Sequence, residues 1–419
     1  MNILEDLQFR GLLYQSTDEK ELADRLNAGP ISLYIGFDPT ADSLHVGSLL
    51  PIVGLMRFQR YGHHPIALVG GGTGLIGDPS GKTAARGFNA EDIVDQWTEK
   101  IRLQLERFLD FEAKSNPARM VNNYSWLGNM EMIRFLRDVG KYFSIGYMLS
   151  KESVKARLEE GITYTEFSYM ILQSYDFLNL FREYDCEMQA GGSDQWGNIT
   201  AGIELIRRIA NKKAYGLTFP LVMKSDGTKF GKTEAGTIWL DAAKTTPYQF
   251  YQFWINSDDR DVLKFIKYFT FLPPEEIKEL EEQFRQDPGS RKAQRVLARE
   301  VTEMVHGKEA FTRAEHISEA LFYGNLKDLT SQEIEEGFVD VPSYTVQEKE
   351  EIRIIDLLLQ AGISPSKRQA REDIRSGAIY LNGETVKDVE LVVGKAERLQ
   401  GHYTIIRRGK KNYNLIRWG

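Results

Sequence analysis

The chain has a single cysteine, Cys186, which excludes an intramolecular disulfide and any metal cage built from several thiolates. No apolar run approaches the roughly 20 residues that a membrane-spanning helix needs. The N-terminal MNILEDLQFRG is acidic and broken, without the basic stretch and apolar core of a signal peptide. These absences point to a cytoplasmic chain with no membrane partner. With 42% hydrophobic and 27% charged residues, disorder and collagen-like repeats are also excluded. The 419 residues exceed one compact core, and at about 150 residues per domain they predict two or three domains.

Net charge is −7, and its distribution is uneven. From Ser364 to Gly419 there are twelve Lys+Arg against six Asp+Glu, a local excess of +6. The rest of the chain is therefore at −13. A basic tail on an acidic body indicates that the tail alone meets a polyanion.

Two periodicities divide the chain. Ser32–Phe37 (SLYIGF) and Pro65–Gly70 (PIALVG) are short apolar runs ending in glycine-containing loops, as buried parallel strands do; Cys186–Ala190 and Pro220–Met223 read the same way. Between them lie amphipathic helices, such as the Ile93, Trp97, Ile101, Leu105 and Phe108 stripe opened by Asn89. This alternation predicts an α/β, doubly wound parallel-sheet (Rossmann-like) domain over residues 1–246. From Pro247 the strands stop, and the spacing of Phe250 and Trp254, then of Val262, Phe265 and Phe269, predicts an all-α domain over 247–325. Residues 326–351 are polar, acidic and patternless, and read as a linker. Residues 352–419 predict a small α+β module: a helix with a capping-box signature at Ser366 and Gln369, a hairpin at Asn382-Gly383, and a second hairpin with a basic loop.

The densest motif is GGGTGLIGDPSGK, Gly70–Lys82. Its GTGLIG matches the dinucleotide fingerprint, yet Asp78-Pro79-Ser80-Gly81 follows at once and would break the required helix in its first turn. GDPSGKT falls one residue short of a phosphate-binding loop. Six glycines in thirteen residues still imply that a ligand or another backbone approaches closely.

A more specific pattern surrounds this loop. His45-Val46-Gly47-Ser48 resembles the HIGH element that follows the first strand of class I aminoacyl-tRNA synthetases, and Lys229-Phe230-Gly231-Lys232-Thr233 resembles their mobile KMSKS loop. Together with GGSDQWGNI (Gly191–Ile199), TEFSYMILQSYDF (Thr165–Phe177) and SPSKRQAREDI, they make the chain similar to the bacterial tyrosyl-tRNA synthetase family over essentially its whole length. Ser48, Phe230, Gly231 and Thr233 depart from the general class I consensus.

The resemblance implies a two-step reaction. Tyrosine's carboxylate attacks the α-phosphorus of ATP, and the tyrosyl group then passes to the 3′-terminal adenosine of tRNA(Tyr). A carboxylate is already a nucleophile at neutral pH, so catalysis reduces to positioning and to cations on phosphate oxygens. In the family's terms Lys229, Lys232 and Thr233 serve the pyrophosphate side, with Lys82 and Arg86 closing from the glycine loop and Thr40 and His45 donating to phosphate. ATP brings Mg²⁺ held by phosphates and water, with no protein-only metal site. The nucleotide site implied comprises Gly36, Asp38, His45, Gly47, Ser48, Gly192, Asp194 and Lys232. Asp194 would bind the ribose hydroxyls, and Asp38 would also support the ammonium site.

Amino-acid selection is supported by helical spacing as well. Tyr169, Gln173 and Asp176 stand at i, i+4 and i+7 on one stripe, amid apolar Met170, Ile171, Leu172, Phe177 and Leu178. The resemblance assigns Tyr169, Gln173 and Asp78 to the α-ammonium group, Gln195 to the neighbourhood of the carboxylate, and Asp176 with Tyr34 to the phenol. Phenylalanine would leave two polar groups unpaired, at roughly 1–3 kcal/mol each; rejection of phenylalanine without editing is already documented for these enzymes and is no deduction from spacing. In the tail, Lys367, Arg368, Arg371, Arg375, Arg407, Arg408, Lys410 and Lys411 suit RNA phosphate contact. A homodimer follows from the resemblance alone. Three alternatives stand beside this reading: the tryptophanyl relative, a non-catalytic RNA-binding protein, and a dehydrogenase.

Overall fold

A computed structural model describes residues 1–80, 89–158, 161–228, 230–233, 236–347 and 351–419. The chain folds as two compact units, Met1–Lys244 with Ser257–Leu297, and Thr245–Asn256 with Ala298–Gly419. Helices Asp259–Phe269 and Pro274–Gln286 thus belong with the α/β unit, and Pro247–Ile255 with the C-terminal one. The all-α domain expected over 247–325 is in this way divided between the two.

The first unit is built on six strands: β1 Gln15–Ser16, β2 Ser32–Phe37, β3 His64–Val69, β4 Arg119–Asn122, β5 Cys186–Gly192 and β6 Tyr215–Phe219. Their order is β1-β6-β5-β2-β3-β4, parallel throughout except for the edge strand β1. The expected doubly wound sheet is therefore present. Leu33, Tyr34, Ile35 and Phe37 are buried on both faces of β2, as a central parallel strand requires. The strand order reverses between β2 and β5, which places the carboxyl ends of both strands at the topological switch point where such sheets bind ligands.

Local expectations failed at two places here. Pro220–Met223 is not a strand; the strand is the preceding Tyr215–Phe219, and Pro220, lacking an N–H, ends it. The helix expected from Asn89 runs over Glu91–Leu105 with no side-chain cap, and its buried face is Val94, Thr98, Ile101 and Leu105. Ile101, Leu105 and Phe108 of the expected stripe are buried, whereas Ile93 is exposed and Val94 takes its place on the buried face.

A buried ionic cluster ties the N-terminal helix Ile3–Arg10 to the sheet-covering helix Val46–Arg60. Asp6 accepts from Arg10 Nε at 2.8 Å and from Arg57 Nη1 at 3.0 Å, and all three residues are almost fully buried. Arg10 and Arg57 both also donate to the Thr270 carbonyl. Asp6→Ala leaves two guanidinium groups in the interior without their counter-charge. It is expected to lower unfolding stability by about 3 kcal/mol, read from urea denaturation.

The second unit holds a five-stranded sheet of Glu384–Thr385, Ile379–Leu381, Tyr403–Arg408, Asn412–Trp418 and Ser343–Val346. Asn382 and Gly383 both take positive φ (50° and 91°), as a two-residue I′ turn demands. Alternation along the strands serves two cores. Ile406, Ile416 and Trp418 pack with Ile354–Leu358, Ala370 and Ile374, whereas Ile405 and Leu415 pack with Ile317, Leu326, Leu329, Ile334 and Phe338. Most of the described part of the stretch expected to be a linker, residues 326–347, carries regular structure. It carries helix Ser331–Gly337 and strand Ser343–Val346, and its sparse apolar residues cover the second face of the sheet. Helix Lys367–Arg375 is capped by Ser366, which accepts from Gln369 N, but the reciprocal bond of a capping box is absent: Gln369 Nε2 donates instead to Asp373.

Candidate active site

A cavity of about 480 Å³ opens at the switch point. Tyr34, Gly36 and Asp38 reach it from β2 and the residue beyond it, and Thr40 from the loop that follows. His45, Gly47 and Ser48 come from the start of helix Val46–Arg60, Gly192 from the end of β5, and Asp78 from the glycine loop. Asp194 and Gln195 follow β5, and Tyr169, Gln173 and Asp176 come from helix Tyr164–Tyr184. The last helix starts with a complete capping box, in which Thr163 accepts from Glu166 N, so the polar stripe begins from a fixed end.

Two oxygens stand out at the inner wall. The Tyr34 hydroxyl and Gln189 Oε1 are both buried without a hydrogen-bond partner, and both residues line the cavity. An orphaned buried oxygen is unfavourable unless a ligand completes it. Asp176, 2% exposed, accepts from Trp126 Nε1 at 2.7 Å and from Asn123 Nδ2 at 2.9 Å. Burial pushes its carboxyl up to about 7, against the downward pull of those two bonds. Burial, and then the Asp176 charge, holds the Tyr34 phenol well above its ordinary range.

Asp38 organises a second cluster. Its carboxylate accepts from Tyr169 OH and from Thr73 Oγ1, each at 2.7 Å. Asn123 Nδ2 donates to Thr73 Oγ1 at 2.9 Å as well as to Asp176, so one chain of bonds joins the two acids. Burial, then the charge of Asp38, raises the Tyr169 phenol, which stays a donor. Nearby, Gln195 Nε2 donates to Asp78 Oδ2 at 2.7 Å, and Asn198 donates to Gln173 Oε1 at 2.9 Å. Asp38, Asp78 and Tyr169 therefore form a negatively biased, acceptor-rich wall suited to an ammonium group.

The opposite wall is backbone-rich. His45 caps its helix, with Nδ1 accepting from Gly47 N at 2.9 Å, which places the imidazole proton on Nε2. Gly47 must be glycine: a Cβ there would lie 2.6 Å from the His45 ring. At Gly192 a Cβ would meet Asp194 Oδ1 at 2.5 Å. A helix N-terminus, an N–H donor and small residues together form an anion-tolerant, nucleotide-width surface.

Lys82, Arg86 and Lys229 lie outside the described residues, and Lys232 and Thr233 are described only as a short strand paired with Gly236–Thr237. Residues that sequence reasoning missed are Thr73, Asn123, Trp126, Gln189 and Asn198. Asn123 follows the carboxyl end of β4, where ligand-facing groups of such sheets are found, but RMVN is too short and too polar to read as a strand. In the second unit Lys367, Arg368, Arg371, Arg375, Lys410 and Lys411 are exposed. Arg407 lies over the Tyr380 ring at 4.0 Å. Arg408 is engaged by Asp373 (2.9 Å) and the Ile363 carbonyl (2.9 Å), a clamp within its own fold. Among the described residues there is no cluster of metal-ligating side chains, and no helix is long and apolar enough to cross a membrane.

The family described as tRNA synthetases class I (W and Y) matches residues 26–323, and the Tyrosine–tRNA ligase SYY-like C-terminal domain matches residues 333–416. A tyrosine–tRNA ligase of Bacillus velezensis is 61% identical over 417 residues, 99% of either chain, and one of Geobacillus stearothermophilus is 60% identical over 419 residues, 100% of either chain. Among solved structures, a C-terminally truncated mitochondrial tyrosyl-tRNA synthetase of Aspergillus nidulans is 31% identical. That match has a TM-score of 0.70 and covers 77% of this chain and 94% of that one. A tryptophanyl-tRNA synthetase of Encephalitozoon cuniculi, at 13% identity and a TM-score of 0.53 over 80% of this chain and 90% of that one, shares the fold. The switch-point cavity, the two signature segments around it and these likenesses agree: the chain belongs to the class I tRNA synthetases of the tryptophan and tyrosine branch.

Proposed function

We propose that the chain is an ATP-dependent tyrosine–tRNA ligase, which activates L-tyrosine to tyrosyl-adenylate with release of pyrophosphate and transfers tyrosine to the 3′-terminal adenosine of tRNA(Tyr). The observation that carries the choice of amino acid is the buried, unpartnered Tyr34 hydroxyl beside the buried acid Asp176. A phenolic ligand donates to Asp176 and accepts from Tyr34; an indole ring offers no such oxygen. Identity of about 60% over the full chain to tyrosine–tRNA ligases supports the same choice.

The residues divide the work by charge. Asp78, Tyr169 and Gln173 take the ammonium group, held in place by Asp38, and Gln195 sits beside Asp78 near the carboxylate. The nucleotide lies along Gly36, Gly47, Ser48, Gly192 and Asp194. Thr40 and His45 donate to its phosphates, and Lys82, Arg86, Lys229, Lys232 and Thr233 complete the cationic side. No group on the protein needs to act as nucleophile or base in activation, since the substrate carboxylate attacks directly. Mg²⁺ enters with ATP as part of that substrate. The basic residues of the second unit engage tRNA phosphate. A homodimer is supported by Met132 and Ile133, each 70% exposed on one short helix, and tRNA, ATP and tyrosine as substrates are in keeping with a cytoplasmic location.

The test is ATP–pyrophosphate exchange without tRNA, supplying tyrosine, phenylalanine and tryptophan separately. Exchange with tyrosine alone is expected. Exchange with tryptophan alone would transfer the chain to the other branch, and no exchange from folded protein with Mg²⁺ would end the ligase reading.

A further inference from the structure

We propose, on the basis of the ligase reading, that Asp261 is a positioning residue for adenylate formation, clasping the segment that delivers the KFGKT lysines to the pyrophosphate half of ATP. Asp261 lies in the first turn of helix Asp259–Phe269, 2% exposed, where the helix dipole favours a carboxylate. Its Oδ2 accepts from both Ser225 N (2.9 Å) and Ser225 Oγ (3.0 Å). Its Oδ1 pairs with Lys264 Nζ at 3.0 Å, and the same ammonium donates to the Met223 carbonyl at 2.9 Å. Two residues of this one helix therefore hold the backbone at 223 and 225.

The helix grips the segment again at Phe230, which is buried between Phe269 (stacked, 5.4 Å) and Phe265 (tilted, 5.1 Å). Between these grips the chain turns through Gly227 N→Lys224 O and Asp226, which accepts from Thr228 N. Beyond Phe230 the path is held against the HVGS segment. Gly231, at φ +82°, has room for no Cβ because Val46 would lie 2.5 Å away, and Val46 N donates to the Ile238 carbonyl. Lys229 and Lys232 adjoin Phe230 and Gly231 in sequence, next to a segment whose grips on helix Asp259–Phe269 (Asp261, Lys264, Phe265 and Phe269) lie outside the cavity lining. Met223 and Phe230 both line the cavity, which connects the clasp to the site.

A purely structural role and a positioning role differ in which step they disturb. Pyrophosphate is present in activation and gone by transfer, so a misplaced loop slows the first step alone. Pre-steady-state measurements on the full-length protein are therefore made for three quantities: tyrosine affinity, adenylate formation at saturating ATP, and transfer from preformed tyrosyl-adenylate to tRNA. Asp261→Asn, which keeps the shape and loses the doubly accepting charge, is expected to slow adenylate formation about tenfold. Affinity and transfer should stay within about twofold of wild type. Lys264→Ala, at a partly exposed position that tolerates truncation, is expected to slow the first step about threefold with the same selectivity. The proposal is overturned if neither variant slows adenylate formation, or if all three quantities fall together. Wild-type protein that forms no tyrosyl-adenylate overturns the ligase reading and this proposal with it, whereas active wild type matched by both variants overturns the clasp alone.

Discussion

Asp176→Ala is expected to lower tyrosine-dependent ATP–pyrophosphate exchange by about two orders of magnitude, through tyrosine affinity rather than ATP affinity. Under the proposed assignment the carboxylate accepts from the substrate phenol at the inner end of the cavity, and its removal also takes the acceptor from Trp126 Nε1 and one of the two acceptors from Asn123 Nδ2, which keeps Thr73 Oγ1. Each buried donor left unpaired costs about 1–3 kcal/mol, so losing the substrate contact and part of the scaffold together reaches that size. Unchanged kcat/KM for tyrosine would remove Asp176 from the specificity site.

The same residue gives a pH signature. Its carboxyl titrates near 7 in the folded chain, mainly through burial, against an ordinary value of 3.8. Between those values the native state binds more protons than the unfolded state, so stability contributed by this group falls as pH rises from about 4 to about 7. Asp176→Asn removes that dependence. The melting-temperature difference, variant minus wild type, should therefore increase from pH 5 to pH 8, and a difference constant across that range would show that the acid is ionised throughout.

His45→Ala is expected to slow adenylate formation about hundredfold, the usual loss when one preorganised donor to a developing oxyanion is removed. The geometry makes the direction specific. Nδ1 is occupied by Gly47 N, so the ring presents an N–H donor from Nε2 on the cavity wall, at the N-terminus of helix Val46–Arg60. Under the proposed assignment this group meets phosphate and not tyrosine, so tyrosine affinity and the transfer step should remain within about twofold of wild type. An equal fall in tyrosine affinity would show instead that His45 supports the pocket wall.

Much of the site was legible because its chemistry is written in short, local patterns. The i, i+4, i+7 stripe of Tyr169, Gln173 and Asp176 needed only helical geometry, and the observed helix presents all three to the cavity. The His45–Ser48 cap needed only a strand followed by a helix start. Pro220–Met223 failed as a strand because the apolar run continues beyond the sheet: the strand is Tyr215–Phe219, and Pro220 ends it. Residues 326–347 of the expected linker are structured, because apolar side chains such as Leu326, Leu329, Ile334 and Phe338 are meaningful only against Ile405 and Leu415, far along the chain.

The sequence by itself determined the alternation of strands and helices, the family through its signature segments, and the residue types that line the switch-point cavity. Capping, periodicity and glycine tolerance act over a few residues, so one chain displays them directly. Only the tertiary structure decided which oxygens are orphaned, which acid is held near neutrality and what grips the backbone at Met223 and Ser225. Those properties arise where Asp38 meets Tyr169 across 131 positions, Asn123 meets Asp176 across 53, and Ser225 meets Asp261 across 36. Burial and hydrogen-bond completion depend on which distant side chains exclude water, and folding alone brings them together.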